Sequence, residues 1–251
     1  MSKMNGNRKP ARADFVKASR KNAKQSQSNV VAMYEALEVT PKFTPQFKRM
    51  TALNFIQAEY QEAIRNNSII FGIGSAGTGK TSIAANYAAE QLCFKRIDKV
   101  YITRPNIESG PGVGFLPGSL EDKYAPFLQP FESAFKKSMG LGFYNYCLKS
   151  KKIEAKPLGF MRGDTFEDCV VLVDEAQNCT KKDFKLMLSR IGNNCKIIIS
   201  GDNWQSDIPN SGLIDAVERL SSVADIQTVN FLDADIVRSE MCKAVIMAYR
   251  D

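Results

Sequence analysis

Eight residues, Gly74–Thr81 (GSAGTGKT), have the types and spacing to hold a nucleoside triphosphate. They fit G-x-x-x-x-G-K-[ST], with Gly74, Gly79, Lys80 and Thr81 at the fixed positions. A loop that wraps phosphate oxygens must turn its backbone N–H groups inward. Glycine permits that curvature without a Cβ clash, and Ser75, Ala76, Gly77 and Thr78 complete the cradle. A helix opening behind the loop aims its positive N-terminus at the same oxygens. Lys80 is placed to reach the β and γ phosphates, and the Thr81 hydroxyl to ligate Mg²⁺. Average residue usage produces this pattern by accident in about 1% of chains this long, so a strand before it and a helix after it strengthen the reading.

A second group of residues suits the chemistry such a loop would serve. Val170–Asn178 reads VVLVDEAQN, an apolar run that ends in two carboxylates. Asp174 would hold Mg²⁺ through water, and Glu175 would orient and deprotonate the attacking water. An apolar run followed by acids also begins many helices, so the pair gains its meaning from the loop. Lys196–Gln205 (KIIISGDNWQ) is another apolar run with a polar end, where Gln205 is the candidate for sensing the γ phosphate and G-D-N would in any case make a turn. Gln57 lies 17 residues before Gly74. A glutamine amide can pair with adenine N6 and N7, which would favour ATP over GTP, or Gln57 is simply a solvated glutamine on a helix. Arg238 stands near the start of the last helical pattern, where an arginine can act as a finger on the γ phosphate or make a surface ion pair.

These residues need a scaffold, and from residue 51 the pattern alternates between strand and helix. Helices are expected over 52–66, 80–94, 181–191, 212–220 and 234–249. Short apolar strands are expected over 69–73, 99–103, 169–173, 196–200 and 226–230. Such alternation implies an α/β fold: a parallel sheet of five or more strands with helices on both faces. Ligands of open α/β sheets sit at the carboxyl ends of the strands, where every motif above falls. Residues 104–168, rich in proline and glycine, form a long insertion at those ends.

Composition narrows the function. The chain has no histidine, which removes Ser-His and Cys-His nucleophile systems and mixed Cys/His zinc sites. The six cysteines form no C-x-x-C pair and read as reduced core residues. No apolar run reaches the roughly 18 residues that span a bilayer, and the N-terminus lacks a secretory signal, so a cytoplasmic protein is expected. Residues 1–50 carry 11 Lys/Arg against 3 Asp/Glu, and residues 51–251 carry 23 against 24. The net charge of +7 therefore belongs to the first fifth of the chain. Residues 1–29 read as a disordered basic tail, and 30–50 as a linker with a short helix. Lys3, Arg8, Lys9, Arg12, Lys17, Arg20, Lys21 and Lys24 would attract nucleic-acid phosphates without sequence preference, or merely aid solubility.

From Gln57 to Tyr249 the chain resembles the PhoH-like family of ATPases, related to superfamily 1 helicases. The resemblance is carried by QAEYQEAI at 57–64, GSAGTGKT at 74–81, TRP at 103–105 and GFLPG at 114–118. It continues through PLGFMRG at 157–163, VDEAQN at 173–178, SRIG at 189–192, SGD at 200–202 with Gln205, SGL at 211–213 and DIVR at 235–238. It implies a RecA-like P-loop fold over residues 51–251. It gives Gln57 the adenine-reading role, places Arg104 and Arg162 beside a nucleic-acid path, where either could instead make a buried structural ion pair, and makes Arg238 a late finger. It implies ATP and Mg²⁺ as cofactors, single-stranded RNA or DNA as partner, a hexameric ring and no membrane. The family commonly has an arginine two residues after Arg162, where this chain has Asp164. No appended nuclease or RNA-binding domain is expected, and short versions of this kind are frequent in bacteriophage genomes.

A single RecA-like lobe leaves its nucleotide cleft open, so the ring is expected to bring Arg238 of one subunit to the ATP of the next. Three functions fit these expectations: a nucleic-acid-stimulated ATPase or helicase-like motor, an ATP-gated assembly module that does not translocate, and a ribonuclease.

Overall fold

The computed structural model describes residues 45–105, 120–161, 163 and 165–248. The chain divides into two units, Met1–Thr44 and Pro45–Asp251, and only the second contains described residues. The basic tail, most of the 30–50 linker, the GFLPG block, Arg162 and Asp164 lie outside them.

The second unit runs α1 (Phe55–Asn66), β1 (Ile69–Gly74), α2 (Lys80–Cys93), β2 (Lys99–Thr103), α3 (Leu120–Lys149), β3 (Ile153–Ala155) and β4 (Cys169–Val173). It continues α4 (Lys181–Leu188), β5 (Cys195–Gly201), α5 (Leu213–Leu220), β6 (Ile226–Phe231) and α6 (Glu240–Ala248). The strands form one six-stranded sheet in the order β3-β2-β4-β5-β1-β6, with every pairing parallel. β5 thus lies between the strand that feeds the phosphate loop and the strand that leads to Asp174.

The two-residue period of a strand splits its apolar side chains between two cores. Ile70, Val100, Ile102, Val170, Leu172 and Ile198 face the core shared with α1, α2 and α3. Ile69, Phe71, Val171, Val173, Ile197 and Ile199 face the other, which Phe184 and Met187 of α4 and Leu213 and Ala216 of α5 close. Burying each such side chain contributes roughly 1.5–3 kcal/mol. Because both faces are covered, the strands read as unbroken apolar runs rather than as alternations.

Two elements depart from the sequence expectation. The insertion contains α3, two helical stretches joined at Gly140 (φ 75°, ψ 153°), and the edge strand β3. Phe131, Phe135 and Met139, spaced at four, bury one face of α3 against α2. The closing helix is shorter than 234–249: a single 3-10 turn spans Asp233–Asp235, and α6 begins at Glu240. Five of the six cysteines are buried, and all six are free thiols. No helix among the described residues is long and apolar enough to cross a membrane.

Candidate active site

The parallel sheet brings all its carboxyl ends to one edge, and the candidate residues gather there. The loop 75–79 leaves β1 and returns into α2. Its conformation depends on left-handed glycines, with φ of 84° at Gly77 and 93° at Gly79, the N-cap of α2. Lys80 bends back over the loop: its Nζ donates to Gly74 O at 2.6 Å, to Ser75 O at 2.8 Å and to Thr78 Oγ1 at 3.1 Å. Burial pushes the Lys80 ammonium down from 10.5 to about 8, opposed by the carboxylates of Asp202, Asp174 and Glu175.

Across the cleft, β4 ends at Val173 and delivers Asp174, whose backbone N–H donates to Thr103 O on β2 at 3.0 Å. The Thr81 hydroxyl faces Asp174 Oδ1 at 3.4 Å, beyond ordinary O–H···O length. Burial pushes the Asp174 carboxyl up from its ordinary value, and the Arg104 guanidinium pulls it back. Glu175 takes a left-handed conformation (φ 53°, ψ 40°), and its side chain is 43% exposed. Such a conformation is uncommon for glutamate, and here it turns the carboxylate toward the cleft that Glu175 lines. The cleft holds about 480 Å³, within the size range of small-ligand pockets.

The hard oxygen donors of Thr81 and Asp174, facing each other beside the phosphate loop, suit Mg²⁺. This ion prefers one or two carboxylates together with water and substrate phosphate.

Several candidates occupy places the sequence reading does not assign. Gln57 is fully buried. Its Nε2 donates to Thr78 O at 2.8 Å, its Oε1 accepts from Leu53 N–H at 2.9 Å, and its Nε2 packs on Gly79. The amide thus braces the phosphate loop and, without rearrangement, has no surface to offer an adenine. Arg104, expected along a nucleic-acid path or in a structural ion pair, grips the acidic pair: its Nη2 lies 2.7 Å from Glu175 Oε1 and 3.2 Å from Asp174 Oδ2. β2 is hydrogen-bonded to β4, so a residue leaving β2 necessarily emerges beside the end of β4.

Arg238 lines the same cleft. Its side chain lies across Gly77 of its own chain, where a Cβ on that glycine would meet Arg238 Cδ at 3.0 Å. The cause is topological: β6 is parallel to β1, so the chain leaving β6 must run beside the phosphate loop. Val237 N–H donates to Gly77 O at 3.1 Å, and Ser75 Oγ donates to Asp233 Oδ1 at 2.6 Å, holding it there.

At the end of β5 the group touching the loop is Asp202, whose Oδ2 accepts from Ala76 N–H at 3.2 Å. Gln205 lines the cleft with an exposed side chain. Gln177 has no role in the sequence reading, yet it is 1% exposed and ties two strand ends together. Its Nε2 donates to Glu175 Oε2 at 2.7 Å, and its Oε1 accepts from Asp202 N–H at 2.9 Å. The signal for it is a polar residue two positions beyond the acidic pair, in a block already singled out.

The elements that build this site fall within a recognised family segment: the model of the PhoH-like protein family matches residues 49–250. "Protein PhoH" of Escherichia coli K12 is 41% identical over 203 residues, covering 79% of this chain and 57% of that protein. The "PhoH-like protein" of Bacillus subtilis is 38% identical over 221 residues, covering 87% and 68%. This chain therefore spans little more than half the length of its Escherichia coli relative. Among solved structures, the large terminase of a thermophilic bacteriophage aligns with a TM-score of 0.49 at 11% identity, covering 76% of this chain and 49% of that one.

Proposed function

The chain belongs to the PhoH-like protein family, and from that premise we propose that it is a Mg²⁺-dependent ATPase stimulated by single-stranded nucleic acid. The observation that carries the ATPase reading is convergence: Lys80, Thr81, Asp174, Glu175 and Arg238 line one cleft beside a phosphate loop. In this reading the triphosphate enters the loop 74–81 and Lys80 leaves the Gly74 and Ser75 carbonyls for phosphate oxygens. Thr81 and Asp174 would hold Mg²⁺, which would supply neutralisation of phosphate charge. Glu175, steadied by Gln177, takes a proton from water. The water oxygen bonds to the terminal phosphorus as the bond to the bridging oxygen breaks, and ADP and phosphate leave. Arg238 acts on its own subunit's nucleotide.

The nucleic-acid half of the proposal is supported by charge. Eleven Lys/Arg against three Asp/Glu in residues 1–50 attract phosphate backbones non-specifically. A homo-oligomeric ring is part of the same reading.

The test is ATP hydrolysis by the purified chain with and without single-stranded RNA and DNA, with Glu175→Gln as control. Stimulation by one polymer is expected, with the variant slower by about 10²–10⁴-fold. Hydrolysis indifferent to both polymers would refute the motor and leave an ATP-gated assembly module.

A further inference from the structure

The contacts of Arg104 carry a step that the ATPase reading leaves open: what keeps Glu175 idle until a triphosphate is bound. Both oxygens of Glu175 are engaged by the protein. Arg104 Nη2 donates to Oε1 at 2.7 Å and Gln177 Nε2 to Oε2 at 2.7 Å. A carboxylate so held is poorly placed to take a proton from water. Lys80 is likewise tied to Gly74 and Ser75. The groups with most to do on a nucleotide are thus bound to the protein itself.

Arg104 is not settled in this position. A single nitrogen serves both carboxylates, and its Nε is buried with no acceptor among the described residues. A guanidinium has five N–H donors in a fork that matches phosphate oxygens in pairs. Its side chain is 25% exposed and lines the nucleotide cleft. For Glu175 to act on a water beside the terminal phosphate, that phosphate must lie close to Glu175, and therefore close to the arginine that touches Glu175.

We propose that Arg104 senses the terminal phosphate: it restrains Glu175 before nucleotide arrives and exchanges that carboxylate for a phosphate oxygen when a triphosphate enters. The exchange frees Glu175 to act as base. A diphosphate offers no oxygen at that place and leaves the restraint closed. Arg104 is a positioning residue in this scheme. The proposal rests on the ATPase reading above, but its consequences appear in binding, without hydrolysis and without nucleic acid.

The experiment compares binding of the β,γ-imido analogue of ATP and of ADP, each with saturating Mg²⁺, to the full-length chain. Arg104→Ala is expected to weaken the triphosphate analogue by about tenfold or more while leaving ADP within about threefold. Glu175→Gln removes the competing carboxylate charge, so it is expected to tighten the triphosphate analogue several-fold. That gain should vanish in the Arg104→Ala/Glu175→Gln double variant. Arg104→Gln serves in its place if the alanine variant fails to fold. Equal weakening of both nucleotides, or a Glu175→Gln gain that persists without Arg104, would overturn the proposal. If neither nucleotide binds the wild-type chain, it is the ATPase reading that fails.

Discussion

In the proposed mechanism single side chains at this site exchange protein partners for nucleotide, and Lys80 gives the most direct measure of that. Burial lowers its ammonium to about 8, because three loop oxygens replace full hydration only in part. Phosphates brought beside it favour the charged form and must raise that value. Binding therefore takes up a proton wherever the free lysine is partly neutral, and nucleotide affinity should fall as pH rises past about 8. Calorimetry at about pH 8.5 in two buffers of different ionisation enthalpy should show net proton uptake, and at about pH 6.5 Lys80 should contribute none. Identical heats in both buffers at the higher pH would contradict this. The proposed role of Lys80 as a phosphate ligand was legible from spacing. Its resting partners were not, since they are backbone carbonyls that take up their positions only once the loop is folded.

Neighbouring strands decide which loop residues can vary. Gly74 closes β1 at φ 137°, and a Cβ there would stand 2.1 Å from Phe231 O on β6. Neither the strand backbone nor the loop can yield that distance cheaply. Gly74→Ala is expected to cost about 3 kcal/mol or more and to abolish nucleotide binding. Gly142 in α3 has nothing within 4 Å of an added Cβ. Gly142→Ala should be neutral or stabilise by up to about 1 kcal/mol. Denaturant unfolding together with nucleotide binding separates the two, and equal effects would refute the argument. The core strands were legible as short apolar runs. α3 was not, because Pro126 and Pro130 within its first turns read as breakers. The four-residue spacing of Phe131, Phe135 and Met139 was present, but its burial against α2 outweighs proline only in the packed molecule.

At the scale of the whole molecule, the proposed ring turns on whether Arg238 serves the proposed nucleotide site of its own subunit or that of a neighbour. The contact with Gly77 lies within one chain. Mixing Lys80→Ala subunits with Arg238→Ala subunits is therefore expected to restore no ATPase activity. A finger supplied between subunits would restore part of it, because an intact Lys80 could then sit opposite an intact Arg238. Recovered activity would return the arginine to its neighbour's site.

Sequence alone determined the parallel α/β class, the phosphate loop, the acidic pair and the absence of histidine chemistry. Each of these depends on local spacing or on residue types, which need no partner to be read. Tertiary structure decided the rest. Gln57 braces the loop because α1 packs beside it. Asp202 rather than Gln205 touches the loop because β5 lies between β4 and β1. Arg104 meets Glu175, and Arg238 meets Gly77, because parallel neighbours deliver their carboxyl ends side by side. Strand order is set by which crossovers bury the two apolar faces together, and residues as far apart in the chain as Arg104 and Glu175 carry no local record of it.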